Sequence, residues 1–489
     1  MKKQAFNPYL PSYEYVPDGE PYVFGDRVYI YGSHDKFNGS AYCENNYVCW
    51  SADVNDLSDW KYERVIYKKS QDPMFDGKPL SFAPERLLFA PDVQIGADGR
   101  YYLYYAFDFL GIMAVAVCDT PAGEYEFYGH IHYADGTLLG EKEGDPFQFD
   151  PGVLVDDDGR VYLYSGFCPI GFPWDVVGTD PKKSIVKGGM VIELEKDMVT
   201  VKEGLKVIFP DKAHGEGTDF EGHEFFEAPS MRKICDTYYF VYSSFNGHEL
   251  CYATSKSPVD GFKYGGTIVS NADIYLNERS EKDALNYFGN NHGSIVEING
   301  QWYVFYHRQT NRHQYSRQAC AEVIAIEQDG SITQVEITSC GLNNGPLVGK
   351  GEYEARIACN LISRLGAKRY EIGEEVEVYH PYFTQDGEDR EDNPNQYIAN
   401  MNEGSVAGFK YFIFDKVEEI SVKVRGNGKG SFLISTEMGG RPIAEILFTA
   451  QSSEWETFIT PMNIEEGAKP LYFMYKGEGS VDFMSFTIK

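Results

Sequence analysis

One short pattern constrains the fold of this 489-residue chain more than any other feature. A tight turn followed by alternating aromatic and β-branched residues recurs five times in the first two-thirds of the sequence. The copies are GDRVYIYGSHD (25–35), DGRYYLYYAFD (98–108), DGRVYLYSGF (158–167), DTYYFVYSSF (236–245) and NGQWYVFYHRQT (299–310). Each copy predicts a hairpin turn that enters a strand. Repeats of this length, each carrying several strands, predict a β-propeller of five blades around a central channel.

The pattern changes after about residue 340. Short alternating segments follow, such as AGFKYFIF (407–414) and EISVKVRGNGKG (419–430), and they predict a β-sandwich of the jelly-roll kind. No long stretch has helical periodicity. The predicted fold class is therefore all-β, with a five-bladed propeller over 1–335 and a sandwich domain over 336–489.

Charge and hydropathy exclude several kinds of partner. The net charge is −30, whereas nucleic acids and anionic membranes are bound through clustered Lys and Arg. No apolar run is long enough for a membrane span. No signal peptide is visible at the start, so we expect a cytoplasmic protein, or an extracellular one if such a peptide has been removed.

Acidic residues occupy equivalent places in the repeats. Each lies six to nine residues ahead of a turn, and they are Asp18, Asp92, Asp150 and Glu227. A single Asp before Gly or Pro is usually a turn residue, but equivalent positions on different blades should point at the same axis. Carboxylates gathered there raise one another's pKa, so that one can stay protonated while another is ionised. Glu20 and Glu224 are nearby rivals to Asp18 and Glu227.

Two further residues, together with Asp92, are candidates for contact with a ligand. His292 precedes the fifth turn by seven residues and could line the pocket, bind a metal or be a core histidine. We expect Arg308, at the end of the fifth innermost strand, to orient the carboxylates and hydrogen-bond a polyol, the alternative being a surface ion pair. Asp92 is expected to be a ligand or structural residue rather than a catalyst.

From about residue 7 to residue 330 the sequence resembles glycoside hydrolase family 43, whose members are five-bladed propellers acting on arabinose- and xylose-containing polysaccharides. The matching motifs are PDGEPYVFGDRVYIYGSHD, FAPDV, FDPGVLVDDDGRVYLYSG, FFEAPSMRKICDTYYFVYSS and NNHGSIVEINGQWYVFYHR. In FAPDV, Phe89 replaces the usual Trp. The resemblance implies an inverting mechanism that needs no cofactor for the chemistry.

The resemblance also implies roles for the three carboxylates. Asp18 would be the general base, Glu227 the general acid, and Asp150 would tune the pKa of that acid and hold its orientation. From their places in the repeats, Asp92, His292 and Arg308 are expected to bind substrate. The resemblance implies that a water-coordinated calcium or other cation could lie in the channel near His292. The family's usual Asp-Pro is here Asp18-Gly19-Glu20-Pro21, so Glu20 is a possible base, but the spacing to the SHD motif favours Asp18.

The C-terminal domain resembles a family 6-type carbohydrate-binding module in stretches such as GEYEARIA, VKVRGNGKG and VDFMSFTI. The resemblance implies structural calcium ligands at Glu352, Glu354 and Asp482, since calcium prefers oxygen ligands. Binding of sugar by this domain and a purely packing role are left equally open.

The leading hypothesis is an exo-acting α-L-arabinofuranosidase that removes side chains from arabinoxylan or arabinan, so the partner would be a plant cell-wall polysaccharide or oligosaccharide. A β-xylosidase on the same scaffold is the close alternative. An endo-arabinanase needs an open groove, whereas long connections at 36–47, 64–90 and 168–187 favour a pocket. A catalytically inactive carbohydrate-binding protein is weaker, because all three carboxylates are present.

Overall fold

The computed structural model describes residues 3–171, 187–371, 374–391 and 395–489, and these are built almost entirely from β-strands. Helical residues within these ranges are confined to single 3-10 turns, at Lys69–Gln71, Leu276–Glu278, Glu281–Asp283, Gly341–Asn343 and Ala355–Ile357. Such turns are far too short to cross a membrane, and the described part of the chain has no longer helix that could do so. The all-β prediction is confirmed.

Five antiparallel sheets follow one another along the chain and form the blades of the propeller. Blade 1 contains β1 (Glu20–Phe24), β2 (Arg27–Tyr31), β3 (Tyr47–Asp53) and β4 (Asp56–Tyr67). Blade 2 contains β5 (Leu88–Ile95), β6 (Tyr101–Phe107), β7 (Met113–Cys118) and β8 (Glu126–His130). Blade 3 contains β9 (Gly152–Val155), β10 (Val161–Ser165), β11 (Met190–Leu194) and β12 (Val201–Val207). Blade 4 contains β13 (Phe225–Ile234), β14 (Thr237–Ser244), β15 (Glu249–Ser255) and β16 (Lys263–Ser270). Blade 5 has three strands, β17 (Ile295–Ile298), β18 (Gln301–Thr310) and β19 (Ser316–Ile324).

The first strand of each blade lies nearest the axis. Strand β1 contacts β5 and β17, and β9 contacts β5 and β13, so the first strands surround the channel. The repeated turn-plus-strand pattern is the second strand of each blade, directly outside them. Asp18, Asp150 and Glu227 therefore lie at or near the starts of innermost strands, whereas Asp92 lies in the middle of β5.

Glycine allows strands to approach closely around the axis, between blades at Gly152 and within blade 5 at Gly293. A Cβ atom on Gly152 would lie 2.2 Å from the carbonyl oxygen of Pro229 in blade 4, and one on Gly293 would lie 1.9 Å from that of Phe305. Both contacts are far below van der Waals distance, so any side chain would push the strands apart. Gly293 also pairs with Gly19 in a bridge between blades 5 and 1, which closes the ring.

The propeller has no single core, because its buried apolar side chains cluster between adjacent blades. The cluster between blades 1 and 5 includes Val28 and Trp50 on one side and Phe305 and Ala321 on the other. Equivalent clusters lie between the other neighbouring blades. The alternating apolar residues of the repeat supply these faces, since successive strand residues point to opposite sides.

The N-terminal segment covers the outer edge of the three-stranded blade 5. The Tyr9 amide donates to the Ala319 carbonyl over 3.2 Å. The Asn7 side chain both donates to the carbonyl and accepts from the amide of Ala321, at 2.8 and 3.0 Å. The backbone groups of β19 are thus paired rather than left open as an edge.

The second domain is one curled nine-stranded sheet around its own aromatic and aliphatic core. Its strands are β20 (Leu347–Val348), β21 (Gly351–Glu354), β22 (Asn360–Ile362), β23 (Tyr382–Gln385), β24 (Gln396–Asn402), β25 (Val406–Phe414), β26 (Glu419–Ser435), β27 (Ala444–Pro461) and β28 (Gly467–Ile488). The two-part all-β architecture is confirmed, while the boundary at residue 335 stays a prediction.

Buried charged groups join the two domains. The Lys410 ammonium, 1% exposed, lies 3.1 Å from Asp273 and 2.8 Å from Glu336. The Arg308 guanidinium donates to the carbonyls of Ala358 and Arg356, at 3.0 and 2.8 Å. Removing either partner of such a buried contact leaves an uncompensated polar group, which costs several kcal/mol.

Candidate active site

All five blades contribute to one pocket of about 610 Å³. The three predicted catalytic carboxylates, Asp18, Asp150 and Glu227, all line it, together with His292. Asp18 and Asp150 directly precede innermost strands and adopt positive φ angles of 57° and 48°. Non-glycine residues rarely occupy this region, although Asp tolerates it better than most, and such strain is concentrated at functional sites.

Asp18 is held as an anion. Its carboxylate accepts from the Arg317 guanidinium at 2.8 Å, and its amide donates to Nδ1 of His307 at 3.4 Å. The other ring nitrogen, Nε2, lies 2.8 Å from the Asn290 carbonyl. Although burial opposes it, the charge of Arg317 and the hydrogen bond with His307 keep the pKa of Asp18 well below its usual range. Asp18 is therefore ionised at neutral pH.

Arg317 was not among the sequence-predicted site residues. The Asp35 carboxylate accepts from Nε and Nη2 of Arg317, at 2.8 and 3.0 Å, which fixes the plane of the guanidinium. The Tyr42 ring covers it, with 4.6 Å between Cζ and the ring centroid. The only signal in the sequence was Asp35, at the end of the SHD motif, which is a buried carboxylate in need of a cation.

Glu227 has the opposite protonation state. Burial and the negative charge of Asp18 raise the pKa of Glu227 to about 8, so the side chain carries a proton at neutral pH. One pocket thus contains an ionised and a protonated carboxyl group, which is the pairing that acid–base hydrolysis requires.

Asp150 lies beside Glu227. Its carboxylate accepts a hydrogen bond from the amide of Ala228, the residue that follows Glu227, at 3.3 Å. Burial and the charges of Glu227 and Asp18 raise the pKa of Asp150 well above its usual range. We expected Asp150 to be the anion that raises the pKa of Glu227. The two carboxyl groups interact electrostatically, with Glu227 acting on Asp150, and the tuning role of Asp150 stays a prediction.

His292 lies between two of the carboxylates, with Nδ1 at 4.0 Å from Asp18 and 3.8 Å from Asp150. Burial lowers its pKa to about 4 even though Asp18 opposes the shift, so the ring is neutral. Calcium prefers several oxygen ligands, but the only described group of three close His, Cys, Asp or Glu ligand atoms lies elsewhere, at His223, Glu249 and Cys251. A cation held through water near His292 stays a prediction.

Glu20, the rival base, lies in a separate buried cluster. Its carboxyl group accepts from Nη2 of Arg232 at 2.6 Å and from the Ser230 hydroxyl at 3.0 Å. Asp92 belongs to the same cluster and accepts from the Tyr22 hydroxyl and the Val153 amide, both at 2.6 Å. Neither Glu20 nor Asp92 lines the pocket. Asp92 connects blade 2 to blade 3, and the structure offers it no contact with a bound sugar.

The other rival and Arg308 also lie away from the pocket. Glu224 accepts from Lys212 at 3.2 Å and is not part of the lining. Arg308 was expected at the end of the innermost strand of blade 5, but that strand is β17, whereas Arg308 belongs to β18. Its guanidinium stacks 3.9 Å from the Phe383 ring centroid of the second domain. Arg308 is thus an interdomain contact, and the arginine beside the carboxylates is Arg317.

The three residues expected to bind calcium in the second domain do not form a cluster of ligands. Glu352 accepts from Ser485 at 3.2 Å, and Glu354 pairs with Arg356. Asp482 lies 3.1 Å from Arg425. Each carboxylate therefore has a partner of its own, and the structure shows no convergence of their oxygens on a shared ion.

The propeller and its pair of oppositely protonated carboxyl groups define a glycosidase. The chain matches the sequence model of glycosyl hydrolases family 43 over residues 13–332 and belongs to that family. Because this match ends before the second domain, the family 6-type binding module stays a prediction. Enzymes of this family need no cofactor for their chemistry.

Several characterised proteins are similar to this chain. It is 53% identical to a xylosidase/arabinosidase of Thermoclostridium stercorarium, over 100% of this chain and 99% of the relative. It is 29% identical to xylosidase/arabinosidase 43A of Humicola insolens, over 60% of this chain and 88% of the relative. Among solved structures, a family 43 enzyme of Xanthomonas citri in complex with xylotriose matches with a TM-score of 0.52 and 24% identity, over 68% of this chain and 94% of that one. This last likeness supports the fold alone.

Proposed function

We propose that the chain is an exo-acting, inverting glycosidase that removes α-L-arabinofuranosyl side chains from arabinoxylan or arabinan. The observation that carries the proposal is the placement of an ionised Asp18 and a protonated Glu227 in one pocket. The names of the relatives support the substrate class, since they include xylosidase/arabinosidase and arabinoxylan arabinofuranohydrolase. Because the first of these names covers both sugars, β-xylosidase activity is the second candidate.

In the proposed reaction Glu227 donates its proton to the glycosidic oxygen while the bond to the anomeric carbon breaks. Asp18 accepts a proton from a water molecule, and the oxygen of that water forms the new bond on the opposite face of the sugar. Leaving group and nucleophile act in a single displacement, so the configuration inverts.

The neighbouring residues position these two groups. Arg317 keeps Asp18 ionised and aligned, because its own plane is fixed by Asp35. Asp150 is bonded to the amide that follows Glu227 and so orients the acid. The neutral ring of His292, between Asp18 and Asp150, is available to hydrogen-bond a sugar hydroxyl.

Part of the pocket lining is apolar and favours a pentose. Its lining includes the aromatic rings of Phe89, Phe109, Phe149 and Phe167. Three of these rings are mutually packed, with centroids of Phe89, Phe109 and Phe149 within 5.3 Å of one another. A hexose would have to bury one more hydroxyl-bearing carbon than a pentose, and an unpaired buried hydroxyl costs free energy.

The test is hydrolysis of 4-nitrophenyl α-L-arabinofuranoside and 4-nitrophenyl β-D-xylopyranoside side by side, with Glu227→Gln as the control. We expect activity on at least one of the two. Proton NMR should show that the sugar is first released in the anomeric configuration opposite to that of the substrate. The variant should lose about 10²- to 10⁴-fold on arabino- or xylo-oligosaccharides, and less on the aryl glycosides, which need little acid assistance. Inactivity of the wild type on both, or retention of configuration, would contradict the proposal.

A further inference from the structure

A segment of the second domain reaches the pocket. Residues 363–371 follow β22 in the connection to β23, and three of them, Arg369, Tyr370 and Glu371, belong to the pocket lining with Glu227. The remainder of the lining comes from the propeller. The pocket that contains the candidate acid is therefore incomplete without the second domain.

The segment is firmly held against blade 5. The Tyr370 amide donates to the Phe288 carbonyl at 2.8 Å, and a bridge pairs Arg369 with Phe288. The Tyr370 side chain is buried, and its hydroxyl donates to the Asn311 carbonyl at 2.9 Å. The Tyr287 ring packs on it with 5.1 Å between centroids. Tyr370 thus fixes the position of its two exposed neighbours, Arg369 and Glu371.

Arg369 lies beside the hairpin turn between β14 and β15. A Cβ atom on Gly247, in that turn, would lie 2.6 Å from Nη2 of Arg369, so the glycine leaves the space that the guanidinium occupies. Within the described parts of the chain, Arg369 forms no ion pair. That is notable in a protein with 44 basic and 74 acidic residues. Its charge nevertheless acts on Glu227, whose pKa it lowers slightly against the effects of burial and Asp18.

We propose that the second domain completes the active site and that Arg369 binds the leaving-group sugar of an oligosaccharide substrate. The inference rests on the proposed function. The buried carboxylates occupy the interior of the pocket, where the released sugar must sit, whereas Arg369 is exposed. The part of the substrate that extends toward solvent is the sugar on the other side of the scissile bond. A guanidinium presents five N–H donors, and sugar hydroxyls accept them.

The experiment compares Arg369→Ala with the wild type on two substrates of the same released sugar. One is an oligosaccharide, whose leaving group carries hydroxyls, and the other is the 4-nitrophenyl glycoside, whose leaving group carries none. Assays at pH 6 keep Glu227 protonated in both proteins. We expect kcat/KM to fall about 10- to 100-fold on the oligosaccharide, as for loss of hydrogen bonds to a charged group, and by less than about threefold on the aryl glycoside.

Two further variants sharpen the result. Arg364→Ala removes an exposed arginine from the same connection outside the pocket and should leave both substrates unaffected. Arg369→Lys retains the charge but not the fork of donors, so its kcat/KM should still fall more on the oligosaccharide than on the aryl glycoside. An equal loss on both substrates, or no loss on either, would overturn this inference. A wild type that hydrolyses no pentoside would instead contradict the proposed function.

Discussion

Two clusters of buried acids lie in the propeller, and each contains an arginine. The pocket cluster is Asp18, Asp150 and Glu227 with Arg317, and the channel cluster is Glu20 and Asp92 with Arg232. Burial raises the pKa of Glu20 to about 8, much as it does for Glu227. What distinguishes the clusters is access, since only the pocket cluster lines a cavity that a sugar can enter.

The comparison shows that a shifted pKa is not by itself a sign of catalysis. Asp92 uses its oxygens to hold the Val153 amide of the next blade and the Tyr22 hydroxyl, so its cluster stabilises the ring of blades. Structural networks shift pKa values as strongly as active sites do. The predictions below separate the two clusters.

The largest expected difference is between Asp18→Asn and Glu20→Gln. Loss of the base should lower kcat about 10³- to 10⁴-fold on both aryl glycosides and oligosaccharides, because every substrate needs an activated water. Glu20→Gln retains the volume and one acceptor oxygen, so it should keep most of the activity. Steady-state kinetics, with thermal unfolding to check folding, decide the matter. If Asp18→Asn were active while a folded Glu20→Gln was inactive, Glu20 would be the base and Asp18 would have a structural role.

The arginines provide a second contrast. Arg317→Lys keeps the charge but loses the bidentate contact with Asp35, and the resulting misalignment of Asp18 should lower kcat/KM roughly 10- to 100-fold. Arg232→Lys should leave kcat/KM within about threefold of the wild type while reducing the free energy of unfolding by about 1–3 kcal/mol. Kinetics and urea unfolding of both variants measure this. If Arg232→Lys lost activity without losing stability, the channel cluster would have a part in catalysis.

The smallest effect is in the pH profile of kcat/KM. The raised pKa of Glu227 means that the proton needed for catalysis is retained until the pH passes about 8. Above that value the rate should fall tenfold per pH unit. Asp18 has a lowered pKa, so no acidic limb is expected above pH 4. With the aryl glycoside, Glu227→Gln should show no basic limb. A wild-type rate that already falls as the pH rises through about 5 would exclude Glu227 as the acid.

The sequence predicted those site residues whose positions follow from the repeated turn-plus-strand pattern. Asp18, Asp150, Glu227 and His292 share an offset from the repeated turn, and the structure brings all four to one pocket. Asp92 shares the offset as well, yet it lies in the channel cluster, because the offset fixes proximity to the axis but not position along it.

Residues outside the repeat were harder to predict. Arg317 is the second residue of β19, the last strand of blade 5, where no repeated pattern marks it. Arg308 was misplaced because the motif was assigned to the innermost strand when it forms the second. Arg369 is 52 residues beyond Arg317 in a different domain, and only the tertiary packing of the two domains brings it to the pocket.

The buried interdomain contacts have a consequence for engineering. A propeller cut free of its partner would expose the Arg308 guanidinium and leave Asp273 without the Lys410 ammonium. Transplanting either half onto a foreign partner would therefore require that partner to supply the same two backbone carbonyls and a matching cation. In this chain the halves are exchangeable only as a pair, and recombination libraries that shuffle them separately should recover few folded products.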